Sequence, residues 1–171
     1  MMDTLSGAIL SPCRLYRYLL WRIWAGPADD VSHPKLLLWI MLNPSTADSM
    51  KDDATIRVCR GRAIRLGYGG IVVANLFALR ATHPDALYHH IFPVQERECP
   101  HKNWAHISAA ISKTQDTICA WGRHGAYMGQ GPLLLSHLHG MKLFPAALKL
   151  NADGSPAHPL RIPYSQPLVR I

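Results

Sequence analysis

The sequence has no P-loop, no GxSxG and no HExxH, and its one glycine cluster, Gly67-Tyr68-Gly69-Gly70, is not a GxGxxG. The functions those motifs carry are therefore not supported by any local signature. Cysteine is scarce. Cys13, Cys59, Cys99 and Cys119 are scattered and form no CxxC pair, which argues against a disulfide framework and fits reduced thiols in the cytoplasm. His89-His90, His101 with His106, and His137 with His139 lack the spacing of zinc sites, so no metal and no cofactor is expected. Long apolar runs are also missing. The longest, Leu36–Leu42, falls far short of the roughly 20 residues that span a bilayer. Arg14, Arg17 and Arg22 interrupt the early apolar stretch, and no small-x-small cleavage site follows, so neither a secretory signal nor a membrane partner is expected.

What is present is a chain of 171 residues, 49% hydrophobic and 17% charged, enough to bury a core as a single domain. Lys and Arg number 18 and Asp and Glu 11, a net charge of +7. A basic surface suits a polyanion, although solubility alone would also account for it.

Tyr16–Trp24 reads as a first strand at a sheet edge, and Gly26–Pro34 as a turn region. Lys35–Leu42 is a strand buried on both faces, stopped at Asn43-Pro44. A helix capped by Asp52 or Asp53 runs to Gly67, and Ile71–Leu76 is a second buried strand. A short helix starts near Pro84, residues 89–101 form an irregular connection, and Asn103 caps a further helix. Thr117–Trp121 is a third strand, Pro132–Leu138 a helix closed by Gly140, and Leu143–Leu150 holds a fourth strand. The proline-rich tail from Asn151 is coil. Strands alternating with helices predict an α/β domain with a mainly parallel sheet, whose ligands sit beyond the carboxyl ends of the strands.

Four polar clusters fall just after predicted strands or in the tail. Asn43-Pro44-Ser45-Thr46, with Asp48 close by, places an amide, hydroxyls and a carboxylate at a strand end, although Asn-Pro-Ser is also ordinary turn chemistry. Asn75 ends an apolar strand and needs a polar partner. Phe77, Arg80 and Thr82 follow it, and Arg80 has the planar fork that grips phosphate. Trp121-Gly122-Arg123-His124 combines a ring, a flexible glycine and positive charge, or is a core tryptophan and a plain turn. His158, between Pro156 and Pro159 with only Ala157 intervening, is a rigidly held imidazole able to donate to a developing anion, or an incidental tail histidine.

In order, Leu42–Asp48, Asp52–Arg57, Gly67–Gly70, Asn75–Thr82, Ala120–Gly122 and Gly154–Leu160 resemble the bacterial and phage family labelled domain of unknown function 1643, over about Tyr16–Leu160. More distantly, the motif order is similar to the uracil-DNA glycosylase superfamily. Met41-Leu42-Asn43-Pro44-Ser45 resembles the Gly-Ile-Asn-Pro-Gly of its mismatch-specific branch. Asn75–Thr82 is similar to that branch's Asn-Leu-Val-x-Arg-Pro-Thr, one residue longer, and His158-Pro159-Leu160 resembles its His-Pro-Ser. The sequence departs from the pattern at Leu42 and Leu160.

That resemblance implies a three-layer α/β/α sandwich around a central, mainly parallel four-stranded sheet. It implies hydrolysis of a base N-glycosidic bond in nucleic acid or a nucleotide, with DNA foremost; separately, a monomer is expected. Asn43 would orient water, Asn75 would read the base edge and His158 would stabilise the leaving base. Asp48 supplies a nearby carboxylate, as do Asp52 and Asp53. Ser45, Thr46 and Arg80 would hold phosphates, and Phe77 or Trp121 would stack on a base. The alternative is an inactive reader that binds a modified base in the same pocket, because an Asn amide cannot take a proton at neutral pH. A basic partner-binding domain with no small-ligand pocket is a third reading.

Overall fold

The computed structural model describes residues 5–24, 34–89 and 99–171. In chain order its elements are β1 (Leu5–Leu10), β2 (Arg17–Ile23), β3 (Leu36–Met41), α1 (Ala54–Arg65), β4 (Gly70–Asn75), α2 (Ala86–His89), α3 (Cys99–Ile111), β5 (Asp116–Cys119), a 3₁₀ segment (Arg123–Gly129), α4 (Gln130–Gly140), β6 (Ala146–Ala147) and β7 (Val169–Arg170).

Among the described residues the strands form a mixed seven-stranded sheet in the order β1-β2-β4-β3-β5-β6-β7. β4, β3, β5 and β6 run parallel, and antiparallel strands flank them on both sides. The α/β class expected from the sequence is present, but the sheet is wider and more mixed than four parallel strands. The unbroken apolar sequences of β3 and β4 follow from burial on both faces. Leu37, Trp39 and Met41 pack on Ile56, Cys59 and Ala63 of α1. Leu38, Ile40 and Leu42 share the opposite core with Ile107 and Ala110 of α3 and Leu134 and Leu138 of α4. Burial of each large apolar side chain contributes about 1.5–3 kcal/mol.

The ends of α1 obey local rules. Asp53 caps it, its Oδ1 accepting from the Ile56 amide at 2.9 Å. Gly67 then adopts φ +80°, the left-handed exit that favours glycine. Elsewhere long-range packing decides. The sheet edge is β1, not Tyr16–Trp24. Its Gly7 is opposite Trp21 in the register, and a Cβ there would overlap the Trp21 indole, so the indole replaces the side chain that glycine lacks. Asn103 lies inside α3 instead of capping it. The helix begins at Cys99, with Pro100 in its first turn. The tail is not wholly coil, because β7 pairs with β6. Of the expected turn over Gly26–Pro34 and connection over 89–101, residues 26–33 and 90–98 lie outside the described residues. Among the described residues Cys13, Cys59 and Cys119 form no disulfide, and burial pushes the thiols of the last two up. No helix of the described residues is long and apolar enough to cross a membrane.

Arg22 fastens the loop before α1 to β2. Its Nε donates to Asp52 Oδ1 at 2.8 Å and its Nη2 to the Asp48 carbonyl at 2.6 Å, with the guanidinium buried. Arg22→Ala would leave Asp52 half-buried without its cation and is expected to cost about 3 kcal/mol in urea unfolding. Arg22→Ala in an Asp52→Asn background is expected to cost less, because no unpaired charge then remains.

Candidate functional site

The register sets where the loops emerge. Met41 is level with Asn75, and Ile40 with Cys119, so the chain leaves β3, β4 and β5 at one edge of the sheet. There the backbone ties neighbouring loops together. The Leu76 and Phe77 amides donate to the Met41 and Leu42 carbonyls at 2.8 and 2.9 Å, and the Ala81 amide to the Pro44 carbonyl at 2.8 Å. Asn43 adds side-chain ties. Its Nδ2 donates to the carbonyls of Ala81 at 2.8 Å and Pro44 at 3.2 Å, which leaves Oδ1 as the uncommitted atom of the amide.

The tail closes the third side. The Ala157 amide donates to the Lys149 carbonyl and the Gly122 amide to the Pro156 carbonyl, both at 2.8 Å. These bonds set His158 beside the loop that follows β5. The Leu160 amide donates to His158 Nδ1 at 3.4 Å, so the neutral imidazole carries its proton on Nε2. Partial desolvation holds the His158 pKa below the ordinary imidazole value, against the opposing pull of the Asp53 carboxylate.

These loops enclose a cavity of about 710 Å³ at the carboxyl edge of the parallel strands. Asn43, Ser45, Asp53, Thr82, Trp121, Gly122, His124 and His158 all line it. Asn43 and His158, 115 residues apart by their numbers (158 − 43), thus share one space. The other expected residues lie elsewhere. Asp48 accepts from the Met50 and Lys51 amides at 2.9 and 3.0 Å and shapes a turn outside the wall. Pro44, Thr46, Phe77 and Arg80 are also outside the wall, with Phe77 against Tyr127 and Arg80 Nη1 donating to the Arg14 carbonyl. Asn75 is 1% exposed and stands behind the cavity. Its Oδ1 accepts from Arg17 Nη2 at 3.3 Å, and its carbonyl accepts from Asn103 Nδ2 at 2.9 Å.

Arg17 is the residue that sequence reasoning missed. It is 2% exposed and lines the cavity, its Nη1 donates to the Ala47 carbonyl at 2.9 Å, and its buried Nε has no partner. Burial lowers its pKa to about 10, partly offset by Asp53, so it stays charged at neutral pH. The only sequence signal was a second arginine in a strand already holding Arg22. Arg123 and Lys149 also reach the wall, so three cations face one carboxylate, Asp53. That balance favours an anionic ligand over a cationic one. The first turn of α1 also lines the cavity and adds the positive end of its dipole. Among the described residues no group of three or more His, Cys, Asp or Glu is placed to hold a metal.

Residues 17–160 match the model of a family described as "Protein of unknown function (DUF1643)", and the chain belongs to that family. No curated protein and no solved structure matches the chain.

Two outcomes follow for Asp53, which is both a helix cap and the cavity's carboxylate. Asn is an equally good cap, so Asp53→Asn is expected to keep the unfolding free energy within a few tenths of a kcal/mol, whereas Asp53→Ala loses about 1 kcal/mol. In an NMR titration the His158 imidazole is expected to have its midpoint below the ordinary value of about 6.5. Because Asp53 raises that midpoint, Asp53→Asn should move it lower still; an upward move would show that the two groups do not interact as described.

Proposed function

We propose that this member of the family takes one nucleotide unit, with DNA as its first source, into the cavity and hydrolyses the base N-glycosidic bond. One observation carries the reading: Asn43, Asp53 and His158, from three distant stretches of chain, line one cationic cavity. Asn43 alone is a poor water activator, but Asp53 adds a carboxylate able to take a proton. In the proposed step, Asn43 Oδ1 and the Asp53 carboxylate accept hydrogen bonds from a water. The water oxygen bonds to C1′ of the sugar while the C1′–N bond breaks, and its electron pair goes to the base nitrogen. Asp53 takes the water proton. His158 Nε2–H donates to the base as negative charge develops, and the freed base then takes up the proton from Asp53. Arg17, Arg123 and Lys149 offset the phosphate charge.

The likeness of Asn43-Pro44 and His158-Pro159 to uracil-DNA glycosylase motifs supports this reading. So does the parallel run β4-β3-β5-β6, which has the strand number that likeness implies. In this reading Asp53 takes the role that the sequence suggested for Asp48. A second reading has its own observation. Leu160, where the glycosylase pattern has the smaller serine, lines the cavity, which favours binding without turnover.

The test is incubation of the purified protein with oligonucleotides carrying uracil, hypoxanthine or hypermodified bases, then alkaline cleavage at abasic sites. Cleavage is expected, with Asn43→Ala, Asp53→Asn and His158→Ala each slowing it more than about tenfold, a loss of about 1.4 kcal/mol of transition-state stabilisation. Tight binding without cleavage selects the reader. Neither binding nor cleavage across the panel overturns both.

A further inference from the structure

The loop after β5 carries more than the cavity wall. His124 lines the cavity, and its Nδ1 is 2.7 Å from the Tyr88 hydroxyl. Tyr88 follows closely on Pro84, another wall residue, yet is itself 43% exposed. A second ring props it. Tyr127 meets Tyr88 edge-on with centroids 4.5 Å apart, and Phe77, partly buried on the core, backs Tyr127 at 5.6 Å. The backbone bends to place Tyr127 there: its ψ is 131°, and Met128 and Gly129 follow at φ +50° and +67°. An exposed aromatic ring, fixed at its hydroxyl to a residue of the cavity wall and braced from the side, therefore stands next to that wall. Arg123, exposed on the same loop as His124, adds a cation to that wall.

We propose that Tyr88, braced by Tyr127 and His124, is the stacking platform for the base next to the target nucleotide, so that the substrate is single-stranded nucleic acid. This rests on the reading of the cavity as a nucleotide site. A ring fixed in orientation offers its face to a base with little further loss of freedom, and every base has a face to offer in return. A neighbouring base in a duplex is already stacked and paired and must give up both to use the platform. Arg123 is placed to meet the phosphate that joins target and neighbour. The His124 bond sets the angle of the ring, whereas the stacking needs only the ring itself. Tyr88→Phe therefore separates orientation from stacking.

The experiment measures fluorescence anisotropy of a labelled oligothymidylate with the full chain, both as a single strand and annealed to oligoadenylate, with thymidine monophosphate as competitor. Tighter binding of the single strand is expected. Tyr88→Ala and Tyr88→Leu should each weaken that binding about tenfold, while Tyr88→Phe stays within about twofold. Thymidine monophosphate, which occupies the cavity alone, should compete with unchanged affinity in assays of every variant. Equal binding of single strand and duplex, or an unaffected Tyr88→Ala, overturns the platform. If thymidine monophosphate still competes in that case, the cavity reading stands. If neither the strand nor the mononucleotide binds, both fail.

Discussion

The carboxyl edge of the sheet is organised around one buried guanidinium. Arg17 enters from β2, where a charge removed from water costs several kcal/mol unless it is matched. The matching is distributed: a carbonyl from the loop after β3, an amide oxygen from the end of β4, and the field of Asp53 at the cap of α1. Each partner belongs to a different element, so satisfying Arg17 means bringing all of them together. A core of apolar side chains alone would tolerate small slips between these loops. A cation that needs these particular oxygens would not. Asn75 serves the same end, since its side chain supports Arg17 and its carbonyl receives Asn103 from α3.

The tail is held by a second set of arginines. Arg62 Nη2 donates to the carbonyls of Ile162 and Pro163 at 2.6 and 2.9 Å. The Arg62 and Arg65 guanidinium groups lie 5.0 and 4.0 Å from the centre of the Tyr164 ring, a cation–π pair on one aromatic. Gly61 makes room for this, because a Cβ there would overlap the Tyr164 hydroxyl. α1 thus has two duties. Its first turn presents Asp53 and its last turn holds the tail that carries His158, so the spacing of the two groups is set largely by one rigid rod.

Much of this was legible in the sequence, and the pattern of success is physical. β2, β3, β4, β5, α1 and α4 were visible because apolar runs, an acidic cap and a left-handed glycine act over a few residues. β1 was not, because Gly7 breaks its pattern and the compensating indole of Trp21 comes from another strand. The convergence of Asn43 and Trp121 was inferable from strand direction, whereas His158 was drawn in by the motif resemblance. Which polar residues face inward was not. Asp53 and Asp48 are alike in sequence, and only the start of α1 turns the former into the cavity while the latter folds back on its own turn. Arg17 was overlooked because its partners are 30 and 58 residues away.

The Arg62 clasp joins positions 100 and 101 residues apart. The two β3 pairings, by contrast, are within reach once the middle of the chain exists. Closing so long a loop is entropically late, and contacts of this range slow folding. During synthesis β1 to β5 and α1 therefore have the means to form before His158 has been made. A nascent chain that has passed β5 but not yet residues 151–162 would hold the open half of the cavity without its imidazole wall.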